Sequence, residues 1–417
     1  MDTTNNTFSD RISGNVAYNY FFTAGIPKNI KREDAVNRLK TTVSRNFKSY
    51  CFEDAPEARE ETAFADIALA QGFLHGDGLP FPCYRILLKD VSLTRNDIHI
   101  TDSAILLTYY HDANIAQISF NLRFENADTE TLIFMRHMFG NGMKFHDGHG
   151  GDISLQELYA ALLERLSLSG EDLEQSYLME INQWGDWDNP QEIIEHHSRR
   201  LYGIMSGDEG WGYVPKKLAK ERIQSQWSSR DFVRFIVFGN SFLLLNLNRG
   251  PYFQEYLAHQ KDFGTTFYGG LNPYFAMDSA IAGVNHGILF ALEMAMVTKT
   301  ITDRTMNHHE AYQRSRTNDF SKDIRKTKDY RRELISTLNR VEHIAMTELG
   351  ELERIVLDSQ RITPVIEKVK YLLEMLESEL DLMYQNRTNT LVTILTVAGL
   401  ILSVIGVLYA HWDVFGL

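Results

Sequence analysis

Eight positions near the C-terminal end of this 417-residue chain, Asn386, Asn389, Thr393, Thr396, Gly399, Ser403, Gly406 and Ala410, are polar or small and lie three or four residues apart. That spacing places them on one face of a helix. Divalent cations are held by rings of amide, carbonyl and carboxylate oxygens. If the face turned toward an axis shared by several copies, Asn386 and Asn389 would supply amide rings at the inner mouth. Thr393, Thr396 and Ser403 would supply hydroxyl rings above them, with Gly399 and Gly406 leaving the lumen wide or letting helices approach. The same stripe equally suits helix packing through small residues. Arg387 points about 100° away from Asn386 and about 160° away from Asn389 and is expected to snorkel to headgroups. The acidic residues Glu374, Glu377, Glu379 and Asp381 just before the stripe are expected to form a solvated face.

Two loops hold other candidate ligands. His146, Asp147, His149 and Asp152 in HDGHGGD offer imidazole and carboxylate groups within a glycine-rich stretch. No second ligand pair at a diagnostic spacing accompanies them, so a polar surface turn is the preferred reading. Asp208, Glu209 and Trp211 in GDEGWGYVP have the makings of a small-molecule or nucleotide site; a loop with an aromatic anchor is again preferred. His196-His197 and His308-His309 read as exposed helix or linker residues. No Walker loop, nucleophile elbow, zincin helix or dinucleotide fingerprint occurs, so an enzyme is not expected.

The elements that must position these residues divide the chain. A composition of 44% hydrophobic and 23% charged residues is that of a globular body. A net charge of −13 speaks against nucleic acid as a partner and for cations. The two cysteines, Cys51 and Cys83, fit a reducing compartment. Hydrophobic periodicity predicts helices over Arg32–Phe47, Asp128–Met138, Ser154–Leu168 and Pro190–Tyr202, and a buried strand over Cys83–Lys89. A hairpin is expected from Ala104–Tyr110, through HDAN, into a strand where Ile118, Phe120, Leu122 and Phe124 alternate with Gln117, Ser119, Asn121 and Arg123. That alternation predicts one core face and one wet face. A second hairpin turns tightly at Gly239-Asn240. The expected fold class is an α/β cytoplasmic domain over 1–310, a helical stalk over 311–389, one C-terminal transmembrane helix over 390–411 and a short tail over 412–417.

Leu391 to Ala410 carries no charge and at about 1.5 Å per residue reaches roughly 30 Å, enough to cross a bilayer. Arg361, Lys368, Lys370 and Arg387 precede this segment and HWDVFGL, which follows it, has no Lys or Arg, so the body is expected in the cytoplasm and the tail outside the inner membrane. No secretory signal is evident at the N-terminus. Phe232–Leu247 and Ile281–Val297 are interrupted by polar groups and do not qualify as spans. Before the span, Leu334, Leu338, Val341, Ala345, Leu349, Leu352 and Val356 form one apolar seam. Around the Thr363-Pro364 helix start and beyond it, Ile362, Ile366, Val369, Leu373, Leu376, Leu380 and Met383 form a stricter heptad seam expected to associate copies as a coiled coil.

The segment NRTNTLVTILT, Asn386 to Thr396, with a long helix and an α/β body before it, resembles the stalk-to-membrane junction of CorA-type magnesium transporters. The resemblance implies a pentamer whose membrane helices line a pore for Mg2+ or another divalent cation, with Asn386, Asn389 and Thr396 at matching positions. Two features depart from that family: YAHWDVF stands where its Gly-Met-Asn signature would be, and no second membrane helix follows. The leading expectation is an oligomeric cation channel gated by a ligand bound to the body. The alternatives are a membrane-anchored defence effector that senses a nucleotide signal and permeabilises the membrane, and a tail-anchored scaffold without conduction.

Overall fold

The structure, a computed structural model, describes residues 11–23, 34, 59–61, 83–89, 100–110, 114–138, 144–146, 152–154, 156–157, 159–160, 164, 174–228, 231–247, 286–315, 320–341 and 348–410. In chain order these form β1 (Ile12–Thr23), β2 (Arg59–Glu61), β3 (Cys83–Lys89), β4 (Ile100–Tyr110), β5 (Ile115–Ala127), α1 (Thr129–Met138), β6 (Lys144–His146), β7 (Asp152–Ser154) and β8 (Glu174–Trp184). There follow α2 (Pro190–Ser206), a 3-10 turn (Trp211–Tyr213), α3 (Lys216–Arg222), β9 (Ser225–Trp227), β10 (Val233–Phe238) and β11 (Ser241–Asn246). Four helices complete the chain: α4 (His286–Arg314), α5 (Phe320–Val341), α6 (Glu348–Ser359) and α7 (Ile362–Ala410). The chain divides into two compact units, Met1–Ile301 with Arg340–Thr363, and Thr302–Asn339 with Pro364–Leu417.

The first unit is built on a mixed sheet ordered β2-β3-β4-β5-β1-β8-β11-β10-β9, antiparallel throughout except between β8 and β11. One face is apolar. Val16, Tyr18, Tyr20 and Phe22 of β1 alternate onto it with Ile118, Phe120, Leu122 and Phe124 of β5 and Met179 and Ile181 of β8. Leu132 and Met135 of α1 and Ile193, Leu201 and Ile204 of α2 belong to the same core. Each helix start carries a recognisable signal. Asp128 accepts from Thr131 N at 2.8 Å, and Asn189 accepts from Gln191 N at 2.9 Å with Pro190 opening α2. Burial opposes ionisation of Asp128, yet the Thr131 hydrogen bonds and the Arg11 guanidinium hold its carboxyl below the usual range. Ser154 and Glu157 form a reciprocal capping box, each side chain accepting from the other's backbone N–H.

The opposite face corrects the expectation of a wet surface on β5. Gln117, Ser119 and Asn121 are fully buried, as are Asn19 of β1 and Ser176 of β8. The physical reason is the strand's position. β5 and β1 lie in the interior of the sheet, and α4 covers this face, with Tyr110 Oη donating to Glu293 Oε2 at 3.0 Å and Lys299 paired with Glu174. Buried amides need partners: Gln117 Nε2 donates to Asn19 Oδ1 at 3.3 Å and Asn121 Nδ2 to Ser119 Oγ of its own strand at 3.1 Å. Arg123 Nε donates to Asn15 Oδ1 at 3.4 Å and Asn15 Nδ2 to Asn182 Oδ1 at 2.7 Å. Asn182 and Asn246 then donate to Glu180 Oε1 at 3.0 and 2.8 Å. A guanidinium and a buried carboxylate are thereby joined through amides across three strands.

The strands expected at Cys83–Lys89 and on both sides of HDAN are present, as is the Gly239-Asn240 hairpin. Gly239 has φ +62°, and no positive φ occurs at Asn240, which fits a primed turn with glycine first. The helices expected at 128–138 and 190–202 correspond to α1 and α2. The helix expected over Arg32–Phe47 lies, but for Asp34, outside the described residues, and most of Ser154–Leu168 does too. Of the seam from Leu334 to Val356, Leu334 and Leu338 fall on α5 and Leu352 and Val356 on α6, all four buried, and Ala345 lies outside the described residues.

On α6, Glu353 is buried beside Leu352 and Val356, and burial alone pushes its carboxyl up to about 8. The folded chain therefore holds this proton more tightly than the unfolded chain does. Its contribution to stability is complete below about pH 4.5 and is lost as pH rises toward 8. Glu353→Gln should raise the melting temperature at pH 8 by several degrees and flatten the decline between pH 5 and 8 on the order expected for one buried carboxyl, as read by thermal denaturation across that range.

Candidate functional site

Every candidate pore residue lies on α7, a 49-residue helix about 70 Å long. From Pro364 on, its first half packs within the second unit. Ile362, Ile366, Val369, Leu372, Leu376 and Leu380 are buried, with Leu373 and Met383 half-buried. Arg331 of α5 donates to Glu377 Oε1 from Nη2 at 2.6 Å and from Nε at 3.1 Å, and Lys328 Nζ lies 5.3 Å from the centre of the Tyr384 ring. Between α4 and α5, Tyr312 stacks on Tyr330 at 4.7 Å and the Thr305 and Thr337 hydroxyls meet at 3.0 Å. The heptad seam expected to join copies is thus covered by the chain's own residues. This corrects its expected role: an apolar stripe at a/d spacing reads the same whether its partner is another copy or a neighbouring helix of one chain.

From Tyr384 to Tyr409 every side chain is exposed, among them Leu395 at 70% and Leu402 at 68%. Among the described residues this is the one helix long and apolar enough to cross a membrane by length and composition. Asn386, Asn389, Thr393, Thr396, Gly399, Ser403 and Gly406 share one side of it. The threonine hydroxyls are already used. Thr390 donates to Asn386 O at 2.8 Å, Thr393 to Asn389 O at 2.9 Å and Thr396 to Val392 O at 2.8 Å. A Cβ added at Gly399 or Gly406 would meet nothing within 4 Å, so both glycines present bare backbone to whatever comes alongside. Of the acidic residues below the stripe, Glu377 is spent on Arg331, while Glu374 and Asp381 are exposed.

Of the proposed metal ligands, His146 and Asp152 stand opposite each other in the β6–β7 ribbon. Asp147 and His149 lie outside the described residues. Among the described residues no group of three or more His, Cys, Asp or Glu is arranged to hold a metal ion. His197 and His309 are half-buried rather than exposed, which corrects their expected placement. His197 stacks on Trp184 at 5.1 Å and meets Trp187 edge-on at the same distance, at a kink in α2. Burial and the Lys368 ammonium hold the His309 imidazole below its usual range, against the pull of Glu310.

The Asp208–Trp211 loop is an aromatic anchor. Trp211 lies against Gly203 of α2, where an added Cβ would come within 2.6 Å of its Cβ, and the Arg200 guanidinium sits 5.9 Å from the ring centre. Asp208 Oδ1 accepts from Gly210 N at 2.8 Å, Gly207 ends α2 with φ +73°, and Glu209 is exposed. Asp208 and Trp211 are therefore used in building the loop. The residues that sequence reasoning missed are the polar groups on one face of β1 and β8. Their signal was the recurrence of polar residues at even spacings in apolar strands, at Asn15 and Asn19 and at Ser176, Glu180 and Asn182. Gly203→Ala should destabilise the first unit by about 1–3 kcal/mol through overpacking against Trp211, as measured by urea denaturation of the full chain in detergent. The chain matches no protein-family model and none of the curated proteins.

Proposed function

We propose that this protein is a homo-oligomeric, single-pass protein of the cell inner membrane, with its body in the cytoplasm, whose α7 helices assemble into a path for a cation. The observation that carries the reading is the exposure of the whole α7 surface beyond Tyr384, apolar on most sides and polar or small on one. Each Leu, Ile or Val removed from water there contributes ~1.5–3 kcal/mol, which lipid supplies. Lipid does not satisfy the asparagine amides. Copies of α7 meeting along the stripe would turn Asn386 and Asn389 toward one another, and their amide oxygens suit a hydrated divalent cation such as Mg2+, in the manner of CorA-type transporters. One helix cannot enclose a pore, so conduction requires association. Gating follows if a small molecule or nucleotide binds the body with different affinity in two states.

A second reading, packing without conduction, is favoured by the threonine hydroxyls, which bond to their own helix and leave Gly399 and Gly406 as the close-approach points. The two readings separate on paired substitutions in the full chain reconstituted in liposomes. Asn389→Ala should lower divalent-cation flux at least tenfold while leaving the subunit number unchanged, whereas Gly399→Ile with Gly406→Ile should dissociate the assembly. Unchanged flux in Asn389→Ala removes the pore. A monomeric wild-type chain removes both readings.

A further inference from the structure

The corner made by the 3-10 turn and α3 displays an aromatic ring for which the fold has no use. Tyr213 is 96% exposed. Its backbone is nevertheless held firmly: Tyr213 N donates to Gly210 O at 2.9 Å, Val214 N to Trp211 O at 3.2 Å, and Arg199 Nη1 to Gly212 O at 3.5 Å. Trp211 pins the same turn onto α2. A ring presented to water on a stiff support loses little conformational freedom when a partner covers it.

Basic groups outnumber the exposed carboxylates Glu209 and Glu221 in the stretch around that ring, in a chain whose net charge is −13. Lys216, Lys217 and Lys220 of α3 are exposed, and so is Arg199 of α2. Ala219 is buried, so the helix keeps this face on the body and turns its lysines to solvent. Lys217 has an acidic neighbour, Glu221 at 3.9 Å, but both side chains are largely exposed, and such a pair yields readily to a stronger anion. An exposed tyrosine followed closely by lysines is chemistry that suits a bilayer's headgroup layer, where a ring rests at the interface and ammonium groups meet phosphates.

We propose that this corner is a docking surface for anionic phospholipid headgroups, with Tyr213 at the interface and Lys216, Lys217 and Lys220 on the phosphates. The proposal rests on the reading of α7 as a bilayer span, which tethers the body at high effective concentration to lipid. A nucleic-acid strand would use the same charges but stacks successive bases on several rings, and at this corner Tyr213 is exposed while Trp211 is taken up in packing.

The full chain embedded in nanodiscs, one set of phosphatidylcholine and one containing phosphatidylglycerol as well, provides the test by backbone hydrogen exchange. Exchange over residues 211–220 should slow several-fold in the anionic discs alone. Raising the salt should restore it, and so should Lys216→Glu with Lys217→Glu, a variant whose β1 and β5 exchange stays unchanged. Equal exchange in both sets of discs overturns the proposal. Slowing in neutral discs on adding a single-stranded oligonucleotide overturns it in favour of nucleic acid. A chain that enters neither disc removes the span itself, and the proposal with it.

Discussion

Apolar surface that the chain leaves uncovered is the constraint from which the rest follows. Between Leu391 and Tyr409 the side chains of α7 touch no other part of the described structure, and most are Leu, Ile or Val. In water such a surface would aggregate. The same helix, one pitch after another back to Ile362, is amphipathic and buries its apolar stripe. A single uninterrupted helix thus passes from a half that the chain buries to a half long and apolar enough to cross a membrane.

That division also limits how copies can meet. With Ile366, Val369, Leu376 and Leu380 buried by the chain itself, the lower part of α7 has little apolar surface left for a second chain. The proposed association would therefore fall to the half beyond Tyr384, through close packing at Gly399 and Gly406 and the pairing of amides. In the body, the counterpart is the buried polar face of the sheet, where Arg123, Asn15, Asn182, Asn246 and Glu180 satisfy one another across strands. Networks of this kind specify register, because a one-residue slip would carry every amide to the apolar side.

Much of this was legible in the residues. The β4–β5 and β10–β11 hairpins, the helices α1 and α2 and the apolar stretch of α7 are local features, and local chemistry determines them. Partnership was not legible. Gln117, Ser119 and Asn121 look solvent-facing until α4, far along the chain, is seen to cover that face. The heptad seam likewise shows a stripe in need of a partner without showing that α5 of the same chain stands beside it. In GDEGWGYVP the polar and aromatic types were visible, but only the contact of Trp211 with Gly203 decides which of them face inward.

Disulfide crosslinking of single cysteines placed along α7, in a full chain with Cys51 and Cys83 replaced, tests the division of that helix most directly. Crosslinked dimers should form with a three-to-four residue period at positions 389, 393, 396, 399, 403 and 406 and be absent at 366, 369, 376 and 380. Crosslinks at the lower seam, or none anywhere along the stripe, would contradict it.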